Sequence, residues 1–249
     1  MQQNTKENNQ EIIDSINKEV MFVNNNLAVG MNTLLGAIQQ NKSLIDCVKL
    51  SAKLFSVQYI EERMNGAVLF TDFKEFWQHA LNHITLEGTI AEFGVNTGGS
   101  INFIAERVNS ATVFGFDSFE GLKEDWSGMV DHPKGKFNNN GNLPQVLPNV
   151  VLVKGWFHET IPQWLNALPT DAKLAYLHVD CDTYESTKVI LDLLTNRIVS
   201  GTVIVFDEYI GLPGWKHNEY RAWQEHVTKH NIRYKYLGCS EQQTSLIVL

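Results

Sequence analysis

The sequence predicts an α/β protein: a doubly wound, seven-stranded, mostly parallel sheet with an antiparallel C-terminal hairpin strand, preceded by an N-terminal helical segment. Three observations carry this. From about residue 88, short runs rich in β-branched and aromatic residues alternate with helical patterns, as in parallel strands joined by crossover helices. The last two runs, Ile232–Cys239 and Thr244–Leu249, are separated only by Ser240-Glu-Gln-Gln243. That is too short for a helical crossover, so they form an antiparallel hairpin. Upstream of residue 85 the apolar residues recur at helical spacing, with no alternating strand pattern.

In chain order, residues 1–10 are rich in Gln and Asn and are expected to be disordered. Ile12, Ile13, Ile16, Val20 and Val23 then mark a helix, and apolar clusters around Leu34–Ile38, Leu44–Leu54 and Phe73–Ile84 mark others. Residues 1–85 are therefore read as one helical segment, either a cap over a site or a dimerisation element, and 86–249 as the domain that carries the chemistry. Its expected strands are Thr89–Val95, Thr112–Phe119, Asn149–Phe157, Lys173–Asp182, Thr202–Tyr209, Ile232–Cys239 and Thr244–Leu249. The helices expected between them are Gly99–Val108, Thr160–Leu168, Tyr184–Arg197 and Glu219–Lys229. The segment Lys123–Pro148 is long and rich in Gly, Asn and Pro, which marks either a lid or a variable surface loop.

Composition narrows the function. With 249 residues, 43% of them hydrophobic, the chain can bury a sizeable core. A net charge of −8 disfavours a nucleic-acid partner, since phosphate binding needs a basic surface. Cys47, Cys181 and Cys239 are odd in number and widely spaced, which gives neither a disulfide framework nor a zinc pattern and fits a reduced, cytoplasmic protein. Met1–Glu11 is polar, without an apolar signal core, and no apolar run approaches the ~18 residues that a membrane span requires. The expectation is a soluble protein with no membrane partner.

The most informative stretch is Glu92-Phe-Gly-Val-Asn-Thr-Gly-Gly-Ser100, set between a strand and a helix. Glycines there let a ligand lie against bare backbone at a helix N-terminus. Their spacing, G-x-x-x-G-G, is not the dinucleotide fingerprint G-x-G-x-x-G. Asp117 follows Gly98 by about 20 residues at the tip of the next strand, where a carboxylate suits a ribose diol. Glu92 would be unfavourable beside a pyrophosphate but suits a cofactor with an ammonium and a sulfonium. These features favour S-adenosylmethionine over NAD. Trp156, at the end of the third strand, is either a flank for the adenine ring or core packing.

A second cluster is acidic. Asp180 and Asp182 alternate at the end of the fourth strand and so share a face. The fifth runs straight into Asp207-Glu208. In a parallel sheet both tips open onto the ligand-binding edge, and converging carboxylates of this kind suit a hard divalent cation such as Mg²⁺. The competing reading is helix capping, by Asp182 or Thr183. His178 reads as a satisfied core histidine, while His132, His158 and His217 fall in loops near the same edge and are all open as general bases.

Together these residues resemble the macrocin O-methyltransferase family, which methylates sugar hydroxyls and belongs to the class I S-adenosylmethionine-dependent methyltransferases. The resemblance rests on Glu92–Ser100, Phe116-Asp-Ser-Phe-Glu-Gly-Leu122, Asp180-Cys-Asp-Thr-Tyr-Glu-Ser-Thr187 and Asp207-Glu-Tyr209, within about residues 88–225. It implies metal ligation by Asp180 and the Asp207-Glu208 pair, with Asp182 as a further ligand. The family often has Asp-Asp where this chain has Asp207-Glu208.

The function expected is metal-dependent O-methylation of a small hydroxylated acceptor, a sugar or natural product, by a homodimer. The cofactor contacts expected are Glu92, Gly94, Asn96, Thr97, Gly98, Ser100, Asp117, Ser118, Phe119, Trp156 and Asp180. Asp180 and Asp182 are expected to be catalytic, and Asp180, Asp182, Asp207 and Glu208 to be metal ligands. A metal-independent S-adenosylmethionine enzyme, an NAD-linked oxidoreductase and a non-catalytic binding protein are the rival readings.

Overall fold

The computed structural model describes residues 21, 28–33, 35–36, 43–108, 110–126 and 132–249. The helix expected over Ile12–Val23, apart from Met21, the disorder expected of residues 1–10 and most of the cluster around Leu34–Ile38 lie outside the described residues. The chain divides into two compact units, Met1–Leu54 and Phe55–Leu249. Helix α1, Leu44–Arg63, carries the boundary.

The second unit holds β1 (Val68–Leu69), α2 (Phe73–Leu81), β2 (Thr89–Phe93), α3 (Gly99–Arg107), β3 (Val113–Asp117), β4 (Val150–Lys154), α4 (Phe157–Ala167), β5 (Leu174–Val179), α5 (Tyr184–Leu194), β6 (Val203–Phe206), α6 (Glu219–His230), β7 (Tyr234–Cys239) and β8 (Thr244–Val248). They form one sheet in the order β1-β7-β8-β6-β5-β2-β3-β4. β8 runs antiparallel to both its neighbours, and every other pairing is parallel.

The seven predicted strands are all present, and the terminal hairpin pairs as expected. The sheet has an eighth strand that the sequence did not reveal. β1 lies inside the segment read as wholly helical, where Val68 and Leu69 pair with Gly238 and Cys239. Two residues are too few to show a period of two. This pairing ties part of the 1–85 segment to the sheet and places the boundary of the sheet-bearing unit upstream of residue 86.

The centre of the sheet explains its composition. Every residue of β5 and β6 is buried, because helices cover both faces, so these strands read as continuous apolar runs rather than alternating ones. On one side Phe76, Trp77, Ala80 and Leu81 of α2 and Ile101, Ile104 and Ala105 of α3 pack with Ile90, Tyr176, Val203 and Val205. Helix α2 starts cleanly because the Asp72 side chain accepts from the backbone N–H groups of Lys74 and Glu75. The strand tips at the carboxyl edge, where β2, β3, β5 and β6 end, carry the candidate site.

Candidate active site

A cavity of about 740 Å³ opens at this edge, within the size range of small-molecule sites. Gly94, Asn96, Asp117, Ser118 and Trp156 form one wall, and Asp180, Asp182 and Glu208 another. The glycine turn and the acidic edge thus face a single space.

The turn is held by backbone geometry. Gly94 has φ +94°, and a Cβ there would lie 1.6 Å from the Asp180 carbonyl oxygen. Only glycine permits this approach, which brings the tips of β2 and β5 together, with the Asp180 N–H donating to the Phe93 carbonyl at 2.8 Å. Asp117 organises the turn from the next strand. Its Oδ2 accepts from the Val95 and Asn96 N–H groups at 2.9 and 2.8 Å, and its Oδ1 from Phe119 N–H at 2.7 Å. A carboxylate offers about four acceptor positions, so Asp117 retains one toward the cavity it lines. Asn96, Phe119 and Asp182 all adopt φ between 46° and 66°, a conformation costly for non-glycine residues and concentrated at functional sites.

Of the eleven residues expected to contact the cofactor, five, Glu92, Thr97, Gly98, Ser100 and Phe119, do not line the cavity. The Glu92 side chain is fully buried, accepting from Ser100 Oγ at 3.0 Å and pairing with His178 Nδ1 at 2.9 Å. Its charge, read as facing a cofactor ammonium, is turned into the sheet. Ser100 is occupied with Glu92. Gly98 is covered by the chain crossing above it, with Pro144 Cβ 3.4 Å from where its own Cβ would stand. Thr97 is exposed and Phe119 buried in the core. Gly94, Asn96, Asp117, Ser118, Trp156 and Asp180 do line the cavity.

The segment read as a lid or a variable loop forms the outer wall through Lys123, Glu124, Trp126, His132 and Phe137. It is tied to the turn by Asn139 Nδ2, which donates to the Asn96 carbonyl at 2.9 Å, and to the end of β4 by Lys154 Nζ, which donates to Gly141 O at 2.7 Å. Trp156 lines the cavity, with the Lys123 ammonium 5.7 Å from its ring centre.

The acidic edge divides into two groups that share Asp180. Asp180, Asp182 and Glu208 each bring a carboxylate oxygen within 4.8 Å of the others. Thr183, not Asp182, caps α5, accepting from Ser186 N–H, which leaves the Asp182 carboxylate to the cluster. Burial, then the Asp207 and Asp117 charges, push the Asp182 pKa up to about 7. Burial, then Asp207, raises Asp180 and Glu208 well above the carboxylate range. Glu208 Oε2 is buried without a hydrogen-bond partner. Buried carboxylates that repel one another, one with an unsatisfied oxygen, are the donor set a hard cation fits.

Asp207 belongs to the second group and does not line the cavity. Its Oδ1 accepts from Gln243 Nε2 and lies 3.6 Å from His178 Nε2, an ion-pair rather than a hydrogen-bond distance. Burial alone would raise Asp207, but His178 outweighs it and holds this carboxyl below its ordinary value. Reciprocally, burial depresses His178 but the hydrogen-bonding and charge of Asp207 and Glu92 outweigh it and shift its pKa upward. His178, read as a satisfied core histidine, is fully buried between Glu92 and Asp207, with Nδ1 paired to Glu92 and Nε2 without a hydrogen-bond partner; burial in turn raises the Glu92 carboxyl above its ordinary value. His132 and His158 line the cavity, and His217 does not. Sequence reasoning missed Glu219, whose buried Oε2 accepts from Glu208 N–H at 2.9 Å, and the hairpin residues Gln242 and Gln243. No motif marks them, because they come from the far end of the chain.

A profile of the macrocin-O-methyltransferase (TylF) family matches residues 59–236. The chain belongs to this family. The match takes in the glycine turn, the whole acidic edge and β1. Among curated relatives in the family's chemistry, the 8-demethyl-8-(2,3-dimethoxy-alpha-L-rhamnosyl)-tetracenomycin-C 4'-O-methyltransferase of Streptomyces olivaceus is 33% identical over 143 residues, 49% of this chain and 53% of the relative. The demethyldecarbamoylnovobiocin O-methyltransferase of Streptomyces niveus is 30% identical over 158 residues, 54% of this chain and 58% of the relative. Each match therefore spans little more than half of the relative. Among solved structures, the calicheamicin methyltransferase CalS11 superposes with a TM-score of 0.55 at 20% identity, covering 88% of this chain and 91% of CalS11. The O-methyltransferase NovP superposes at 0.50 with 22% identity, covering 71% of this chain and 80% of NovP. At these identities the likeness is one of fold. Among the described residues, no helix is long and apolar enough to cross a membrane.

Proposed function

We propose that the chain is an S-adenosylmethionine-dependent O-methyltransferase that acts on a hydroxyl of a sugar or sugar-bearing natural product with the help of a divalent cation. The observation that carries this is the shared cavity, in which an adenosine-suited wall faces three converging carboxylates. Family membership and the two curated relatives support the methyl-transfer chemistry and the class of acceptor.

When bound, S-adenosylmethionine supplies an electrophilic methyl group, and a cation such as Mg²⁺ supplies charge that lowers the pKa of a nearby hydroxyl. The chain's own residues have four tasks. Asp117 accepts a ribose hydroxyl with its remaining acceptor position, and Trp156 offers an aromatic face to the adenine. Asp180, Asp182 and Glu208 would hold the cation through oxygen ligands. Whichever of Asp180 and Asp182 is nearer the acceptor oxygen takes its proton. His178 keeps Asp207 ionised behind them, so the edge retains negative charge. Alignment of acceptor and donor is the main contribution of such a site.

The test is transfer of labelled methyl from S-adenosylmethionine to a panel of glycosides with adjacent free hydroxyls. Activity lost in EDTA and restored by Mg²⁺ is expected. Full activity in EDTA would remove the cation from the reading, and no transfer to any glycoside would remove the acceptor class.

A further inference from the structure

A second group of potential metal ligands lies apart from the cavity. His226 and His230 stand one turn apart on α6 and share a face, their ring centres 4.6 Å apart. Asp192 reaches toward them from α5, and one ligand atom of each of the three residues lies within 4.8 Å of the others. None of the three lines the cavity.

The second observation is the state of His226. It is 4% exposed, and neither ring nitrogen has a hydrogen-bond partner. A buried imidazole normally satisfies at least one nitrogen, because an unmade bond there costs the full desolvation of the group. One face of the ring lies against Trp223, with ring centres 6.0 Å apart, so the apolar surroundings are filled while the polar atoms are not. A cation at the Asp192–His230 side would satisfy one of them.

Two imidazoles and one carboxylate are a donor set for a borderline transition metal rather than for Mg²⁺ or Ca²⁺, and three protein ligands leave a fourth position for water. The present partners of Asp192 are Lys188 and, at 3.4 Å, Lys229. Their side chains are 41% and 63% exposed, so both can swing into solvent when a cation takes the carboxylate.

We propose that Asp192, His226 and His230 form a second cation site, selective for Zn²⁺ or a similar transition metal, that clamps α5 to α6. The clamp has a reach beyond its ligands. α5 begins two residues after Asp182, behind its cap Thr183, and α6 begins at Glu219, which holds the Glu208 backbone. Fixing the two helices against each other steadies these attachments to the acidic edge, whose carboxylates project from the tips of β5 and β6.

The experiment uses the full chain, stripped of metal and held in excess Mg²⁺ so that the acidic edge is saturated. Zn²⁺ titration followed by calorimetry should show one additional equivalent bound, and the melting midpoint should rise by several degrees. Co²⁺ in place of Zn²⁺ should give the visible absorption of a low-coordinate site. The exposed ligands His230→Ala and Asp192→Asn should each weaken Zn²⁺ binding by about tenfold or more without lowering the metal-free midpoint. Asp182→Asn should leave Zn²⁺ binding unchanged. Absence of Zn²⁺ binding in the unaltered chain, or Zn²⁺ binding lost in Asp182→Asn but retained in His230→Ala, would overturn the proposal.

Discussion

His178 Nδ1 lies 2.9 Å from Glu92 Oε2, and neither side chain touches solvent. The pair runs through the middle of the sheet, from β2 to β5, and its far end meets Asp207. Removing one partner strands a buried charge, which costs about 3–5 kcal/mol. Glu92→Ala and His178→Ala are therefore expected to lower the urea midpoint by that equivalent with an unchanged slope. Variants as stable as the parent would show that the pair is dispensable.

At Gly94 two penalties combine. An added Cβ would collide with the Asp180 carbonyl, and the positive φ disfavours any side chain. Gly94→Ala is expected to cost at least about 3 kcal/mol. Gly99, in the same turn, has nothing within 4 Å of a built Cβ and no positive φ, so Gly99→Ala should stay within about 0.5 kcal/mol. Thermal midpoints of the two variants make the comparison, and equal losses would contradict it.

Cofactor and cation should separate by mutation. Asp182→Asn is expected to reduce the proposed methyl transfer by about 100-fold while calorimetry with S-adenosylhomocysteine gives an unchanged affinity. Asp117→Ala should do the reverse in binding, weakening S-adenosylhomocysteine and leaving Mg²⁺ affinity intact. It also frees three backbone N–H groups, so its melting midpoint should fall as well.

The acidic edge sets a pH dependence. Burial, then Asp207 and Asp117, raise Asp182 from 3.8 to about 7. A carboxyl whose folded pKa is raised favours the fold while protonated. Its contribution is full below the unfolded value near 3.8, declines as pH rises, and is gone above about 7, with a total on the order of 4 kcal/mol. In EDTA the parent should lose stability relative to Asp182→Asn between about pH 4 and pH 7. Mg²⁺ at pH 8 should return it to the parent. Parallel pH profiles for the two proteins would contradict the assignment.

The strand alternation, the terminal hairpin and the paired acids at the tips of β5 and β6 were legible because each leaves a local pattern of apolar runs, short loops or adjacent charges. β1 was not, since Val68–Leu69 gains its identity only by pairing with Gly238–Cys239. Glu92 was legible as unusual but not in its direction. Which way a residue at a strand tip faces depends on its neighbours, and here His178 on β5 claims it. The same holds for Asp207, which adjacency to Glu208 made look like its equal. One faces the cavity and the other faces His178. Thr183 or Asp182 as the cap of α5 was a fair alternative from sequence, and the choice of Thr183 is what leaves the acid free.

β8 lies between β6 and β7, and the turn that leads into it carries Gln242 and Gln243 to Glu208 and Asp207. The backbone after β6 is fastened to the same turn, with Tyr209 and Ile210 N–H both donating to Gln242 O. In kinetic terms the edge has no finished form until the hairpin has docked. Closing such distant contacts is slow compared with forming the helices. Refolding should therefore restore far-ultraviolet ellipticity first and cation affinity last, in the phase that inserts β8.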